Sequence, residues 1–203
     1  MQPPPWSRVA SLAPAKRTRA GWNQALLTAA AAANHRLALD LDDAGRLDAG
    51  LIACLHPVEQ ELLRRAGSLR LHASDGALRS LIALAGLHRL LPPDPPAPPE
   101  LSCMAVFGDD ELRLTVQHGI GLNPRLSTPS GHDWMARLQA KRIIIDLGEI
   151  SHVNSVIVAW LLQLAQAAKP ADLVLVDVSR QVAIQFNQLR LNHVLQVQPS
   201  PDK

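Results

Sequence analysis

The chain has little of several residue types on which common functions depend. Among its 203 residues there are no tyrosines, two phenylalanines and two cysteines, and the formal net charge is +2. Nucleic-acid binding needs a basic stripe or stacking aromatic side chains, and neither occurs, so we predict no nucleic-acid partner. Two cysteines cannot form a disulfide framework, and Cys54 lies in an apolar helical run, which is typical of a small core residue in a reducing cytoplasm.

Long apolar runs and cofactor motifs are missing as well. Asp, Gln or His interrupts each apolar stretch well before the roughly 18 residues that a membrane-spanning helix requires. The eight histidines show no metal-ligand spacing, and the sequence GIGLN at residues 119–123 lacks the glycine spacing and the lysine of a phosphate-binding loop. We therefore predict no membrane insertion, no metal, no cofactor and a cytoplasmic location.

One pattern of apolar runs, turns and helical stretches occurs twice. Residues 36–55 align with residues 142–161 at an offset of 106, and residues 69–91 align with residues 173–195 at an offset of 104. Few of the aligned residues are identical, but the order of the elements is the same. A repeat of about 100 residues indicates a pair of domains, because solenoid repeats are much shorter.

The proline-rich run PPDPPAPP at residues 92–99 separates the two copies. Prolines lack the N–H group that helices and sheets need, which favours a stiff extended spacer. We predict a flexible N-terminal arm at residues 1–20, a first domain at 21–91, a linker at 92–100 and a second domain at 101–198.

Each copy alternates buried strands with helices. The apolar runs at residues 37–41 and 143–147 are continuous rather than alternating, which is typical of strands covered on both faces. In the second copy a helix is predicted over residues 155–169, from apolar residues at i, i+3, i+4 and i+7, and an apolar strand follows at residues 173–178. This alternation predicts an α/β fold in which each copy is a small, mixed, mostly parallel sheet with crossover helices.

The second copy resembles the STAS domain, a family that includes anti-sigma factor antagonists, cytoplasmic tails of sulfate transporters and small subunits of lipid-transport ABC complexes. The segment IIIDLGEISHVNSVIVAWL, which begins at Ile143, resembles the family's strand, its D-S-S-G turn and the helix that follows. The segment LVLVDVSRQVAIQFNQLRLNHVL, which begins at Leu173, resembles the next strand, the V-S-P turn, a helix and the terminal leucines. The resemblance implies two tandem STAS-like domains in a bacterial regulatory protein, the first of them degenerate.

The resemblance also places the family's phosphorylated serine at Ser155 and the aspartate before it at Asn154. It implies a partner-binding surface at the start of this helix, formed by Ser151, His152, Asn154, Ser155, Val156 and Ile157. The chain departs from the family pattern at Val156 and Ile157, which replace the second serine and the glycine. The equivalent region of the first copy has no hydroxyl group to modify and consists of Asp48, Ala49 and Gly50.

A non-enzymatic protein-binding module is the function that the resemblance implies, and two versions of it stay open. In the first, the chain acts like an anti-sigma factor antagonist, and a kinase-like ATPase phosphorylates Ser155. In the second, it is the cytoplasmic STAS subunit of an ABC-type lipid transporter and binds the ATPase subunit without phosphorylation. The first copy either packs on the second as an intramolecular pseudo-dimer or provides a second docking site.

Structural explanations compete with these roles. Asn154 and Ser155 are both favoured helix N-cap residues, so capping alone explains them. Asp40 and Asp146 recur at the two strand ends, where we expect their carboxylates to accept hydrogen bonds from turn amides. Ser155, His152 and Asp146 are the residue types of a catalytic triad, but no G-x-S-x-G turn is present, so we predict that the protein is not an enzyme.

Overall fold

A computed structural model describes residues 7–12, 14, 16–92 and 101–200 of the chain. The strands are β1 (Ser7–Arg8), β2 (Arg36–Asp40), β3 (Leu47–Asp48), β4 (Ser68–His72), β5 (Cys103–Phe107), β6 (Glu111–Val116), β7 (Leu138–Gln139), β8 (Arg142–Asp146), β9 (Asp172–Val178) and β10 (Gln196–Pro199). The α-helices are α1 (Arg19–Ala32), α2 (Ala49–Arg64), α3 (Gly76–Leu84), α4 (Ser155–Ala168) and α5 (Arg180–Gln188). Short 3-10 helices join them, at Val9–Ser11, Asp42–Ala44, His88–Leu90, Ile120–Leu122, Pro124–Ser127, Pro129–Gly131, Asp133–Arg137 and Leu191–His193.

The strands form mostly parallel sheets, as the alternation of strands and helices predicts. The C-terminal half contains a five-stranded sheet in the order β10-β9-β8-β6-β5, in which only the β5–β6 hairpin is antiparallel. The N-terminal half contains a parallel three-stranded sheet in the order β1-β2-β4. No α-helix of the described residues is long and apolar enough to cross a membrane.

From the central strand onward, the two halves share an order of strand, long helix, strand and helix, and also the register of their central strands. β2 and β8 have the same burial, with three buried residues between an exposed first residue and a half-buried last one. Arg36 of β2 lies opposite Ser68 of β4, and Arg142 of β8 lies opposite Asp172 of β9. These positions differ by the same two offsets, 106 and 104, that align the halves in sequence.

Side-chain caps fix where most of the helices begin. The Asn154 side chain accepts a hydrogen bond from the Ile157 amide at the start of α4, and the Ser179 hydroxyl accepts one from Val182 at the start of α5. Such caps satisfy amide groups that have no acceptor inside the helix. Helix α4 then packs its apolar stripe on the sheet, and Trp160 is fully buried in the core.

Apolar side chains of both halves form one continuous core. Helix α2 packs against strands β5 and β6 of the C-terminal half, and α3 packs against the 3-10 helix Asp133–Arg137. Strand β3 pairs in parallel with β7, which places Leu47 opposite Leu138. The two halves therefore pack on each other, which the sequence left open, and they do not have two separate cores.

Part of the predicted flexible arm belongs to the folded unit, which corrects the boundary at residue 20. β1 pairs with β2, Val9 is buried, and α1 begins at Arg19 with Thr18 as its N-cap. A strand of two residues is too short to show any periodicity, so the sequence pattern could not reveal it. Residues 1–6 of the arm and residues 93–100 of the predicted linker lie outside the described residues.

Candidate functional site

The start of helix α4 places the predicted site residues at the protein surface. Asn154 is the N-cap, and its Oδ1 accepts a 2.9 Å hydrogen bond from the Ile157 amide. Ser155 is the first helical residue, and its side chain is exposed and forms no hydrogen bond within the described part of the chain. The capping role therefore belongs to Asn154, and the Ser155 hydroxyl is left accessible.

The first amides of α4 form a local electropositive end. The amides of Ser155 and Val156 have no hydrogen-bond acceptor among the described residues, whereas those of Ile157 and Val158 bond to Asn154. Free N–H groups and the helix dipole both favour negative charge at such a position. A phosphate on Ser155 would lie next to these donors.

A small apolar cavity of about 210 Å³ lies beside the start of α4. Four of the six predicted partner-binding residues line it, namely Ser151, His152, Asn154 and Ile157. Ser155 and Val156 do not line it and lie on the outer side of the helix start. Ile157 is 4 % exposed, so it contributes to the wall of the cavity rather than to an open surface.

The other wall of the cavity is a loop that sequence reasoning missed, residues 118–122. Its GIGLN sequence lacks the features of a phosphate-binding loop, and no other local pattern marks it as part of a site. The Asn154 Nδ2 donates to the Gly121 carbonyl at 3.4 Å, and a Cβ at Gly121 would lie 2.8 Å from that same nitrogen. Glycine therefore lets the loop come this close to the helix start without displacing the Asn154 side chain.

Leu122 stands at the rim of this cavity. Its side chain is 88 % exposed, more than any other large apolar residue that the structure describes as exposed. Single exposed apolar residues are ordinary on protein surfaces. Here the exposed leucine extends the apolar surface of the cavity, and contiguous apolar surface is a feature of protein-interaction sites.

Two further contacts hold the turn before α4. The Val153 amide donates to the Gln185 side chain of α5 at 3.1 Å, and the His118 amide donates to the Glu149 carboxylate at 3.3 Å. Beneath the helix, the indole of Trp160 donates to the Gly131 carbonyl at 2.8 Å. The cavity is therefore built on a turn that is tied to its surroundings on both sides.

The residue types of a catalytic triad are not brought together. The described hydrogen bonds of the Asp146 carboxylate join it to the Gly148 amide at 3.0 Å and to the Arg113 guanidinium at 2.7 Å. The ring of His152 lies 3.2 Å from the hydroxyl of Ser151, not from that of Ser155. In the first half the Asp40 carboxylate accepts from the Asp42 amide at 3.1 Å, so the turn-bonding role predicted for both strand-end aspartates is confirmed.

One group of side chains has the composition of a metal site, although the sequence predicts none. Oxygen and nitrogen atoms of Asp40, Asp42 and His72 lie within 4.8 Å of one another at the ends of β2 and β4. Both oxygens of Asp42 accept hydrogen bonds from the Ser74 amide at 3.0 Å. These bonds to turn amides give the group a structural role.

The equivalent region of the first half is covered by the C-terminal half, which favours the first of the two alternatives, packing of the halves on each other, over a second docking site. Ala49 and Gly50 are buried, and the Gly50 amide donates to the carbonyl of Asp109 in the β5–β6 turn at 3.1 Å. The Asp109 carboxylate also accepts a 2.6 Å hydrogen bond from the Arg19 amide. A Cβ at Gly50 would lie 3.2 Å from the Asp109 carbonyl oxygen, so the glycine permits this close contact.

Asp48 is the N-cap residue of α2 by position, but its side chain does not cap the helix. Its carboxylate lies 3.9 Å from the Arg17 guanidinium. Burial raises the pKa of the Asp48 carboxyl, and the nearby Arg17 opposes this only in part. Asn154 and Asp48 therefore occupy equivalent positions with different hydrogen bonding.

Comparison with known families identifies a STAS domain at residues 117–203. The match includes the loop at 118–122, helix α4 and all of the predicted partner-binding residues. It does not include the N-terminal half, so a second STAS copy stays a prediction. No curated protein and no solved structure matches the chain.

Proposed function

We propose that the STAS domain at residues 117–203 is a regulatory protein-binding module of the anti-sigma factor antagonist type, and that phosphorylation of Ser155 controls its docking. STAS domains are in general non-enzymatic binding modules that mediate protein–protein interactions. The observation that carries the proposal is the accessible Ser155 hydroxyl at the start of α4, next to an apolar cavity and the exposed Leu122.

Phosphorylation would change this surface without unfolding the domain. A phosphate adds about −1.5 to −2 charges at neutral pH. The free amides of Ser155 and Val156 would stabilise it locally. A partner that contacts the cavity would then meet this charge across an apolar surface, which is expected to weaken binding by roughly tenfold or more.

In this proposal the N-terminal half is a degenerate repeat that serves as an internal packing partner. The β5–β6 turn of the C-terminal half covers its helix start, so the corresponding surface is not available to another protein. The partner of the C-terminal surface would be a kinase-like ATPase, and the protein would act in the cytoplasm.

The experiment is affinity capture of the tagged full chain from its native cells, with mass spectrometry of Ser155 and of the proteins that co-purify. Three variants accompany the wild type: Ser155→Glu, Ser155→Ala and Gln166→Glu. Gln166 is exposed on the last turns of the same helix, so Gln166→Glu adds a similar charge away from the cavity. We expect a kinase-like ATPase with wild type, with Ser155→Ala and with Gln166→Glu, and its loss with Ser155→Glu.

Equal capture by Ser155→Glu and wild type would refute the phosphorylation switch. Leu122→Asp tests the binding surface separately, because it places a charge at the rim of the cavity and leaves Ser155 unchanged. If Leu122→Asp keeps its partner, the proposed surface is wrong even when Ser155→Glu loses that partner.

A second function is favoured by the outer face of α4, which carries no charged residue. Apart from glutamines it presents Val156, Val158, Ala159 and Leu162, which are half-buried or exposed. Such a face could dock on the ATPase subunit of an ABC-type lipid transporter without any modification. Capture of transporter subunits, with Ser155 unmodified and Ser155→Glu still bound, would establish this function instead.

A further inference from the structure

A second cavity, of about 520 Å³, lies in the N-terminal half at the position equivalent to the cavity beside α4. The equivalence follows from the 106-residue offset between the halves. Four lining residues, Ala44, Arg46, Asp48 and Leu51, correspond at this offset to four lining residues of the other cavity, Ile150, His152, Asn154 and Ile157. In each half, the cavity therefore lies between the turn before the long helix, α2 or α4, and the segment that follows strand β1 or β6.

The two cavities differ in their chemistry. The cavity of the C-terminal half is almost entirely apolar in its lining. That of the N-terminal half contains two arginines and two aspartates, Arg17, Arg46, Asp43 and Asp48. Its volume lies within the range of small-molecule sites, roughly 300–1,000 Å³. The larger cavity is therefore suited to a charged or polar small molecule.

The Asp48 carboxylate accepts no hydrogen bond of normal length within the described part of the chain, although the indole N–H of Trp22 lies close to it. The Asp48 side chain is 13 % exposed and leaves the helix start of α2 uncapped. The Arg17 guanidinium is 3.9 Å away and is itself 68 % exposed, so the ion pair is loose. A carboxylate buried to this extent gains when a donor with a positive charge reaches it.

Trp22 adds an unpaired donor to the same wall. Its side chain is 4 % exposed, and its indole nitrogen has no acceptor within hydrogen-bond distance in the described part of the chain. This N–H lies near the Asp48 carboxylate and favours its charged form. The apolar part of the wall includes Val9, Leu12 and Leu51, and Gln139 of the C-terminal half adds a polar side chain. The wall thus combines an under-bonded carboxylate with apolar surface.

Two of the other charged groups are already engaged. The Arg46 side chain donates to the carbonyl of Leu138 at 2.9 Å, and the Asp43 carboxylate accepts from the Val9 amide at 3.2 Å. Asp48, with the loosely held Arg17 at the rim, is therefore the pair that a ligand would meet.

We propose that this cavity binds a protonated primary amine carried on an apolar body, with the Asp48 carboxylate accepting hydrogen bonds from the ammonium group. The apolar body packs against Leu12, Leu51 and the Trp22 ring. A free monoamine and an α-amino acid share this chemistry. With an amino acid, the Arg17 guanidinium pairs with the α-carboxylate beside the ammonium group.

The test is titration calorimetry of the full chain with three probes that share a phenyl body: phenethylamine, L-phenylalanine and 3-phenylpropionate. We expect at least one amine to bind and 3-phenylpropionate, which lacks the ammonium group, not to bind. Asp48→Asn should weaken amine binding at least tenfold, whereas Asp172→Asn, which changes an exposed carboxylate elsewhere, should leave it unchanged. Asparagine is the chain's own residue at the equivalent position 154, so this variant is expected to fold, and its thermal unfolding checks this.

Arg17→Gln distinguishes the two ligand sources. If Arg17→Gln weakens the binding of L-phenylalanine but not that of phenethylamine, the site is assigned to an α-amino acid. If Arg17→Gln changes the binding of neither probe, the site is assigned to a monoamine. The proposal is overturned if neither amine binds, if Asp48→Asn binds as tightly as wild type, or if 3-phenylpropionate binds as tightly as the amines.

Discussion

Replacing Asn154 by alanine removes the side-chain cap of α4, and the equivalent residue Asp48 provides a control inside the same chain. Asn154 accepts a 2.9 Å hydrogen bond from the Ile157 amide, whereas Asp48 makes no capping bond. If the side-chain cap is the main contribution of this position to stability, Asn154→Ala should lower the free energy of unfolding, and Asp48→Ala should change it little.

The expected magnitudes follow from these contacts. Loss of an N-cap side chain costs about 1 kcal/mol, within a range of roughly 0.5–2 kcal/mol. The second contact of Asn154, to the Gly121 carbonyl at 3.4 Å, is long and exposed and adds little. Asp48→Ala loses a loose ion pair worth about 0–1 kcal/mol and at the same time removes a carboxylate whose burial raises its pKa. The net effect at Asp48 should therefore stay below about 0.5 kcal/mol.

Urea denaturation followed by circular dichroism measures both variants. A change in the midpoint with an unchanged slope reports a change in stability alone. For a chain of this size, about 1 kcal/mol also corresponds to a decrease of roughly 2–4 °C in the thermal midpoint. Equal destabilisation by Asn154→Ala and Asp48→Ala, or no effect of Asn154→Ala, would refute the capping argument.

Three further outcomes are expected. Gly50→Ala should cost about 1–3 kcal/mol in urea denaturation, because its Cβ would lie 3.0–3.3 Å from backbone atoms, whereas Gly76→Ala, with nothing within 4 Å, should be close to neutral. Although burial raises it, the pKa of Asp75 lies below its ordinary value because Arg137 donates a 2.6 Å hydrogen bond; stability should therefore fall as the pH drops below about 4, and Arg137→Gln should show less of this acid-dependent loss. Burial raises the pKa of both cysteine thiols to about 12, so iodoacetamide at pH 8 should alkylate the buried Cys54 only after unfolding and the half-buried Cys103 slowly, and rapid modification of Cys54 in the native protein would contradict its burial.

The strands and helices could be predicted because they depend on local patterns. Continuous apolar runs predict β2 and β8 to within one residue, and apolar spacing predicts the extent of α4 to within one residue. The self-alignment of the sequence gives the offsets that the strand registers reproduce. Apolar runs and apolar spacing are both patterns of residues close together in the sequence, and such patterns indicate the type of element and its buried face.

The cavity beside α4 could be predicted only in part. The residues of the turn before the helix follow from their position along the chain. The opposite wall at residues 118–122 comes from a separate segment, and no pattern in the sequence shows that it packs there. The role of Gly121 depends on a contact with Asn154 that exists only in the folded chain.

The sequence by itself determined the alternation of strands and helices, the burial of the central strands and the matching register of those strands in the two halves. Tertiary structure decided that the first helix start is covered and the second exposed. The Asp109 turn covers the start of α2 at Gly50 through a hydrogen bond between segments far apart in the chain, and Arg19 bonds to Asp109 across 90 residues. A local pattern cannot encode such a contact, because it depends on the packing of two separate elements that bring these backbones together.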